Sequence, residues 1–145
     1  MPSVRDILSV KGNLIHSIDP TETVLAATHR MNEHKLGALV IMQNGSVAGI
    51  FTERDLLRRV VAEMRNPAET TVGEVMTTEV ICVGPEMDID DVSAILKQTR
   101  VRHLPVCDGD GQIVGLISIG DVNAMHASSQ ESTIEFLNEY IYGRV

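Results

Sequence analysis

Two short constellations in this 145-residue chain have residue types and spacing that could do chemistry. In one, Thr52 precedes Asp55 by three positions; in the other, Ser118 precedes Asp121 by three. Each is led by a glycine and two apolar residues, in Gly49-Ile50-Phe51-Thr52-Glu53-Arg54-Asp55 and Gly115-Leu116-Ile117-Ser118-Ile119-Gly120-Asp121. A hydroxyl at a helix start, beside free backbone N–H groups, can hold a phosphate. A carboxylate one turn further on can accept from both hydroxyls of a ribose. The same spacing is that of a capping box with Asp in place of Glu, in which hydroxyl and carboxylate satisfy the first-turn N–H groups. The two readings are compatible, and spacing alone leaves both open.

The elements that must position these groups follow from the flanks. Each stretch ends an apolar run, Val47 to Phe51 or Ile113 to Ile117, so a strand delivers the hydroxyl to the start of a helix. The glycines are offset by 115 − 49 = 66 residues and the upstream prolines, Pro20 and Pro85, by 85 − 20 = 65, so the chain is a tandem repeat of one unit. Val4 to Leu8 matches Val72 to Met76 as a short opening turn that lies across the module, and Lys11 to Asn13 reads as loop. Ile15 to Ile18 and Val80 to Val83 read as short strands closed by proline turns. Val24, Ala27, Thr28 and Met31, and likewise Ile89, Val92, Leu96 and Thr99, mark one face of a helix after each proline. Leu36 to Met42 and His103 to Cys107 are apolar enough for strands covered on both faces, and Asn44-Gly45 and Asp108 to Gly111 supply hairpin turns.

Each repeat therefore reads strand, helix, strand, strand, helix: an α/β (α+β) fold of two pseudo-symmetric units packed as one module. Repeat one spans 1–65, a polar, proline-containing linker 66–71, repeat two 72–127 and a C-terminal amphipathic helix 128–145. A helix from Glu53 to Met64 presents Leu56, Leu57, Val60, Val61 and Met64 on an apolar face. The C-terminal segment sets Ile134, Leu137 and Ile141 on one side, with Phe136 and Tyr140 nearby.

Composition excludes several function classes. A net charge of −8 disfavours nucleic acid, whose binding depends on Lys and Arg contacts to phosphate. No apolar run approaches the roughly 20 residues that cross a bilayer. The opening residues lack a basic region followed by an apolar core, and Cys82 and Cys107 form no disulfide framework or zinc pattern, so a cytoplasmic location is expected. Both thiols sit at strand positions and are expected to be buried and inert. His16, His29, His34 and His126 have no metal-ligand spacing, and the chain shows no paired nucleophile and base and no glycine-rich dinucleotide loop. The expectation is no enzyme, no metal and no required cofactor.

The duplicated glycine, two apolars, Thr or Ser, two variable residues and Asp, with matching upstream strands, resembles the cystathionine-beta-synthase (CBS) domain pair, or Bateman module, over residues from about Val4 to about Met125. The resemblance implies adenosine-derivative binding in clefts between the repeats, with Asp on ribose and Thr or Ser near phosphate. It implies ligand contacts from Ile18, Gly37, Ala38, Thr52, Arg54 and Asp55 in the first half, and from Ile81, Arg102, His103, Pro105, Ser118 and Asp121 in the second. AMP, ADP, ATP or NAD(H) is the ligand expected, because basic residues suit phosphate better than the sulfonium of S-adenosylmethionine. The family also implies a homodimer formed through helices, and regulation of another, unidentified chain. A protein-interaction scaffold with weak or no ligand binding is the alternative.

The halves differ. Repeat two has Arg102-His103-Leu104-Pro105 where repeat one has Gly37-Ala38-Leu39-Val40, and repeat one has Glu53-Arg54 where repeat two has Ile119-Gly120. Two sites of different preference are expected, with room for a larger ligand beside Gly37-Ala38. Arg54 reads either as a phosphate ligand or as an exposed helix cation, and His103 either as a pH-responsive group or as a buried neutral ring.

Overall fold

A computed structural model describes residues 2–12 and 14–129; the expected C-terminal helix lies outside them. The two helices that follow the prolines form for matching local reasons. Thr23 accepts from the Ala26 N–H and starts α2 (Val24–His34); Asp88 accepts from the Asp90 N–H and starts α5 (Ile89–Thr99). Each stops at a residue in the left-handed conformation, Lys35 and Arg100, both with φ near 60°. Val24, Ala27 and Met31, and Ile89, Val92 and Leu96, face inward.

Each sheet is built on a hairpin, and in repeat one a third strand flanks it. In repeat one, β1 (Ser17–Ile18) runs parallel to β2 (Ala38–Gln43), which pairs antiparallel with β3 (Ser46–Thr52). Asn44 (φ 53°) and Gly45 (φ 79°) form the two-residue turn between them, which only residues tolerant of positive φ can make. In repeat two, β4 (His103–Cys107) pairs with β5 (Ile113–Ser118).

The strand expected at Val80 to Val83 is reduced to one parallel bridge, Val83 to Val106. The Val40 N–H donates to the His16 carbonyl beside β1, and its counterpart in repeat two is Pro105 (105 − 40 = 65), which has no N–H to give. The ladder therefore cannot extend toward Ile81.

The opening segments are more than turns. Segment α1 (Val4–Lys11) is a two-turn helix that includes Lys11, and α4 (Val72–Val75) is a single turn. Both cross over. Val4 and Ile7 of α1 are buried with Val83, Ile89, Leu104 and Ile117 of repeat two, and Val72 and Val75 of α4 with Val24, Leu39 and Phe51 of repeat one. Each repeat's leading helix thus completes the other's core, and the two repeats cannot be hydrophobically satisfied apart.

This crossing explains the motif glycines. A Cβ on Gly49 would stand 2.6 Å from the Thr77 carbonyl oxygen, and one on Gly115 2.6 Å from Leu8 Cδ2. Beside Gly49, Ile50 and Thr77 exchange both backbone hydrogen bonds, at 3.0 and 2.9 Å.

After Thr52 the chain forms α3 (Glu53–Asp55), which continues as a π-helical stretch over Leu56–Val61. The wider winding breaks the 3.6-residue phase on which the expected apolar face rested. Val60 is buried, but Leu57, Val61 and Met64 are 62%, 60% and 92% exposed. The linker is built into the fold: Thr70 and Pro67 carbonyls accept from the Val24 and Leu25 N–H groups, satisfying orphan donors of α2. Helix α6 (Ile119–Ser129) follows the second motif. No described helix is long and apolar enough to cross a membrane.

Candidate functional site

Both motifs are capping boxes. The Asp55 N–H donates to Thr52 Oγ1 (3.2 Å) while the Thr52 N–H donates to Asp55 Oδ2 (3.1 Å). In the second copy the Asp121 N–H donates to Ser118 Oγ (3.1 Å) and the Ser118 N–H to Asp121 Oδ2 (2.8 Å). Each helix start is also stitched to the residue before the central strand of its repeat: Glu53 N–H to the Gly37 carbonyl, Ile119 N–H to the Arg102 carbonyl. The hydroxyl and the carboxylate are thereby fixed at the strand-to-helix corner.

The first corner opens on a cleft of about 550 Å³, within the range of small-molecule sites. Repeat one contributes Gly37, Thr52, Glu53, Arg54, Asp55, Leu57 and Arg58; repeat two contributes Thr77, Val80, Ile81, Arg102, His103, Ser118 and Ile119. Eight residues expected from the sequence therefore meet here: Gly37, Thr52, Arg54, Asp55, Ile81, Arg102, His103 and Ser118. Three others do not line it. Ile18, Ala38 and Pro105 are buried in β1, β2 and β4, the last two within strands whose successive residues are covered on both faces.

Asp55 is the buried carboxylate of the cleft. Besides the capping bonds it accepts from Thr77 Oγ1, and Arg59 approaches Oδ1 at 3.6 Å. Arg54 lines the cleft, and its Nη1 donates to the Arg100 carbonyl (2.8 Å), capping the C-terminal end of α5 across the repeat boundary. The cations left facing the cleft from the sequence comparison and beyond are Arg102 and Arg58, and Arg58 was not expected. Thr77 and Arg58 lie outside both motifs; only the crossing of α4 onto repeat one brings Thr77 to Asp55, and no motif spacing signals it.

Gly37 lines the cleft with His103 and Glu53 as its near neighbours. A Cβ there would lie 3.4 Å from His103 Cε1 and from Glu53 Oε1. Burial pushes the His103 pKa down, helped by the Lys11 and Arg102 charges and opposed by Glu53 and Asp121, so the ring is neutral near pH 7.

Asp121 lies outside the first cleft. Lys11 Nζ donates to Asp121 Oδ2 (2.7 Å) and to the Leu116 carbonyl (2.7 Å). Burial raises the Asp121 pKa, but the hydrogen bonds from Lys11 and Ser118 outweigh it and hold the carboxyl below its usual value.

The thiols are not both buried: Cys82 is exposed and Cys107 half-buried. They stand together beside the Val83–Val106 bridge, and burial, followed by the Cys82 thiol, pushes Cys107 up to about 12. His16 and His34 stack at 4.1 Å. Among the described residues no group of three or more His, Cys, Asp or Glu could hold a metal ion.

Comparison with known proteins matches the CBS domain family model to residues 4–62 and 72–124. The chain is 33% identical over 132 residues to the CBS domain-containing protein YhcV of Bacillus subtilis, covering 91% of this chain and 90% of that one. A Burkholderia ambifaria protein with CBS domains, ascribed to signal transduction, superposes with a TM-score of 0.85 at 38% identity, over 89% of this chain and 96% of the other. The hexameric CBS-CP12 protein of bloom-forming cyanobacteria superposes with a TM-score of 0.74 at 29% identity, over 84% and 69% of the two chains.

Proposed function

The chain belongs to the CBS domain family, and from that premise we propose that it is a non-enzymatic regulatory module that binds AMP, ADP, ATP or NAD(H) in the first cleft and signals through conformation or association. The observation that carries this reading is the meeting, in one cleft, of the Thr52–Asp55 corner of repeat one with Ile81, Arg102 and Ile119 of repeat two. Val80, Ile81 and Ile119 suit a purine; the Asp55 carboxylate suits ribose hydroxyls; Arg58 and Arg102 suit phosphate. A ligand that spans both repeats favours the arrangement in which they are held together, and that differential contact is what a sensor requires.

Calorimetric titration with AMP, ATP, NADH and S-adenosylmethionine tests the proposal. Binding of a phosphorylated ligand, weakened at least tenfold by Arg102→Ala, is the expected result. Ligand at a hundred times its dissociation constant adds about 2.7 kcal/mol of stability, an independent check by melting. A cooperatively melting protein, freed of copurified ligand, that binds none of the four overturns the reading.

The scaffold alternative draws on Leu57, Val61 and Met64, which the π-helical winding turns to solvent. They suit helix-mediated self-association, consistent with a homodimer and with the hexameric relative. Sedimentation of the Val61→Ser, Met64→Ser double variant separates this from ligand binding, since neither residue lines the cleft and the dimer would dissociate while the fold persists.

A further inference from the structure

The two motifs are alike in sequence, yet their carboxylates are neutralised in different ways. Asp55 accepts a hydroxyl from Thr77, and its cation, Arg59, stands at 3.6 Å on its own helix. Asp121 is met by a cation from the other repeat: Lys11, the last residue of α1, donates to Oδ2 at 2.7 Å and anchors itself on the Leu116 carbonyl at the same distance. The opening helices align at an offset of 72 − 4 = 68 residues, which sets Met76 against Leu8, Thr77 against Ser9 and Glu79 against Lys11, so repeat two carries no cation at Lys11's place.

Resting on the nucleotide reading above, we infer that Lys11 is the specificity-determining residue of the second motif: an internal cation that occupies Asp121 where a ribose would bind, so that the module takes one nucleotide per chain, at Asp55. A ribose offers only neutral hydroxyls to a carboxylate, and these do not displace a charge-assisted bond whose donor is also held by a backbone carbonyl. Methionine at position 11 keeps an unbranched stem and removes the cation.

The test is the stoichiometry of AMP binding by calorimetry on the full chain, on Lys11→Met and on Lys11→Arg. One site in the natural protein, two in Lys11→Met and one in Lys11→Arg is the expected pattern, because arginine keeps the cation. A merely structural lysine would change melting temperature without changing the number of sites. Two sites in the natural protein, or one in Lys11→Met with its cooperative melting intact, overturns the inference. No binding by the natural protein but one site in Lys11→Met would sink the first-cleft reading and sustain the role of Lys11. Absence of binding in all three proteins overturns both.

Discussion

Thr77 Oγ1 lies 3.0 and 3.2 Å from the two carboxylate oxygens of Asp55, twenty-two residues away and across the repeat boundary. The hydroxyl is carried there by the paired backbone of Ile50 and Thr77. It occupies the lone pairs that a ribose would use, so its removal acts in opposite directions on stability and on affinity. Thr77→Val keeps the shape and the backbone pairing but loses the bond, costing about 2 kcal/mol for a hydrogen bond to a charged group. Melting should fall while AMP binds more tightly; a parallel loss of both would show that Thr77 contacts the ligand instead.

The motif glycines give a second prediction. Gly49→Ala drives a methyl group against the Thr77 backbone oxygen, which is held by its own hydrogen bond and cannot yield without breaking the junction between repeats. Gly115→Ala meets the end of the Leu8 side chain, which can change rotamer. Overpacking costs about 1–3 kcal/mol, and Gly49→Ala should sit at the upper end and Gly115→Ala at the lower. Chemical denaturation of the two variants checks the order; equal losses would refute the backbone-against-side-chain argument.

The repeat, its hairpins and the capping corners were legible in the sequence because duplicated spacing at an offset of about 65 residues repeats every local signal. Three features were not, for physical reasons. The π-helical winding after Asp55 depends on packing, so Leu57 and Val61 point outward although their spacing reads as an inner face. Arg54 caps α5 through a contact 46 residues distant, which no local pattern encodes. Lys11 reads as loop because Gly12 follows it, yet α1 extends to it and delivers its ammonium to Asp121.

His103 contributes to the acid limb of stability. Its folded pKa is depressed from the ordinary 6.5, chiefly by burial. Below pH 6.5 the unfolded chain takes up a proton that the folded chain refuses, so stability is fully present above about 6.5 and is lost as pH falls toward the folded value. Lys11, Arg102, Glu53 and Asp121 all act on this ring, and Asp121 itself, with a lowered pKa, adds a separate loss only below 3.8. Melting between pH 7.5 and 5 should fall less in His103→Gln than in the natural protein. An unchanged pH slope would assign the acid limb to other histidines.

The two thiols should differ in reactivity although they are neighbours. With its pKa pushed up to about 12, Cys107 at pH 8 holds only about one part in ten thousand as thiolate, the reactive form, and it is half-buried as well. Cys82 is exposed. Maleimide at pH 8 should therefore label the native protein once, at Cys82, and the denatured protein twice, since the chain has two cysteines. Cys82→Ser should leave the native protein nearly unlabelled, because burial, the larger cause of the Cys107 shift, remains after its neighbour is removed. Rapid native labelling of Cys82→Ser would mean that the Val83–Val106 bridge opens freely, as a ladder cut short by Pro105 permits, and the shielding of Cys107 would then be kinetic and not structural.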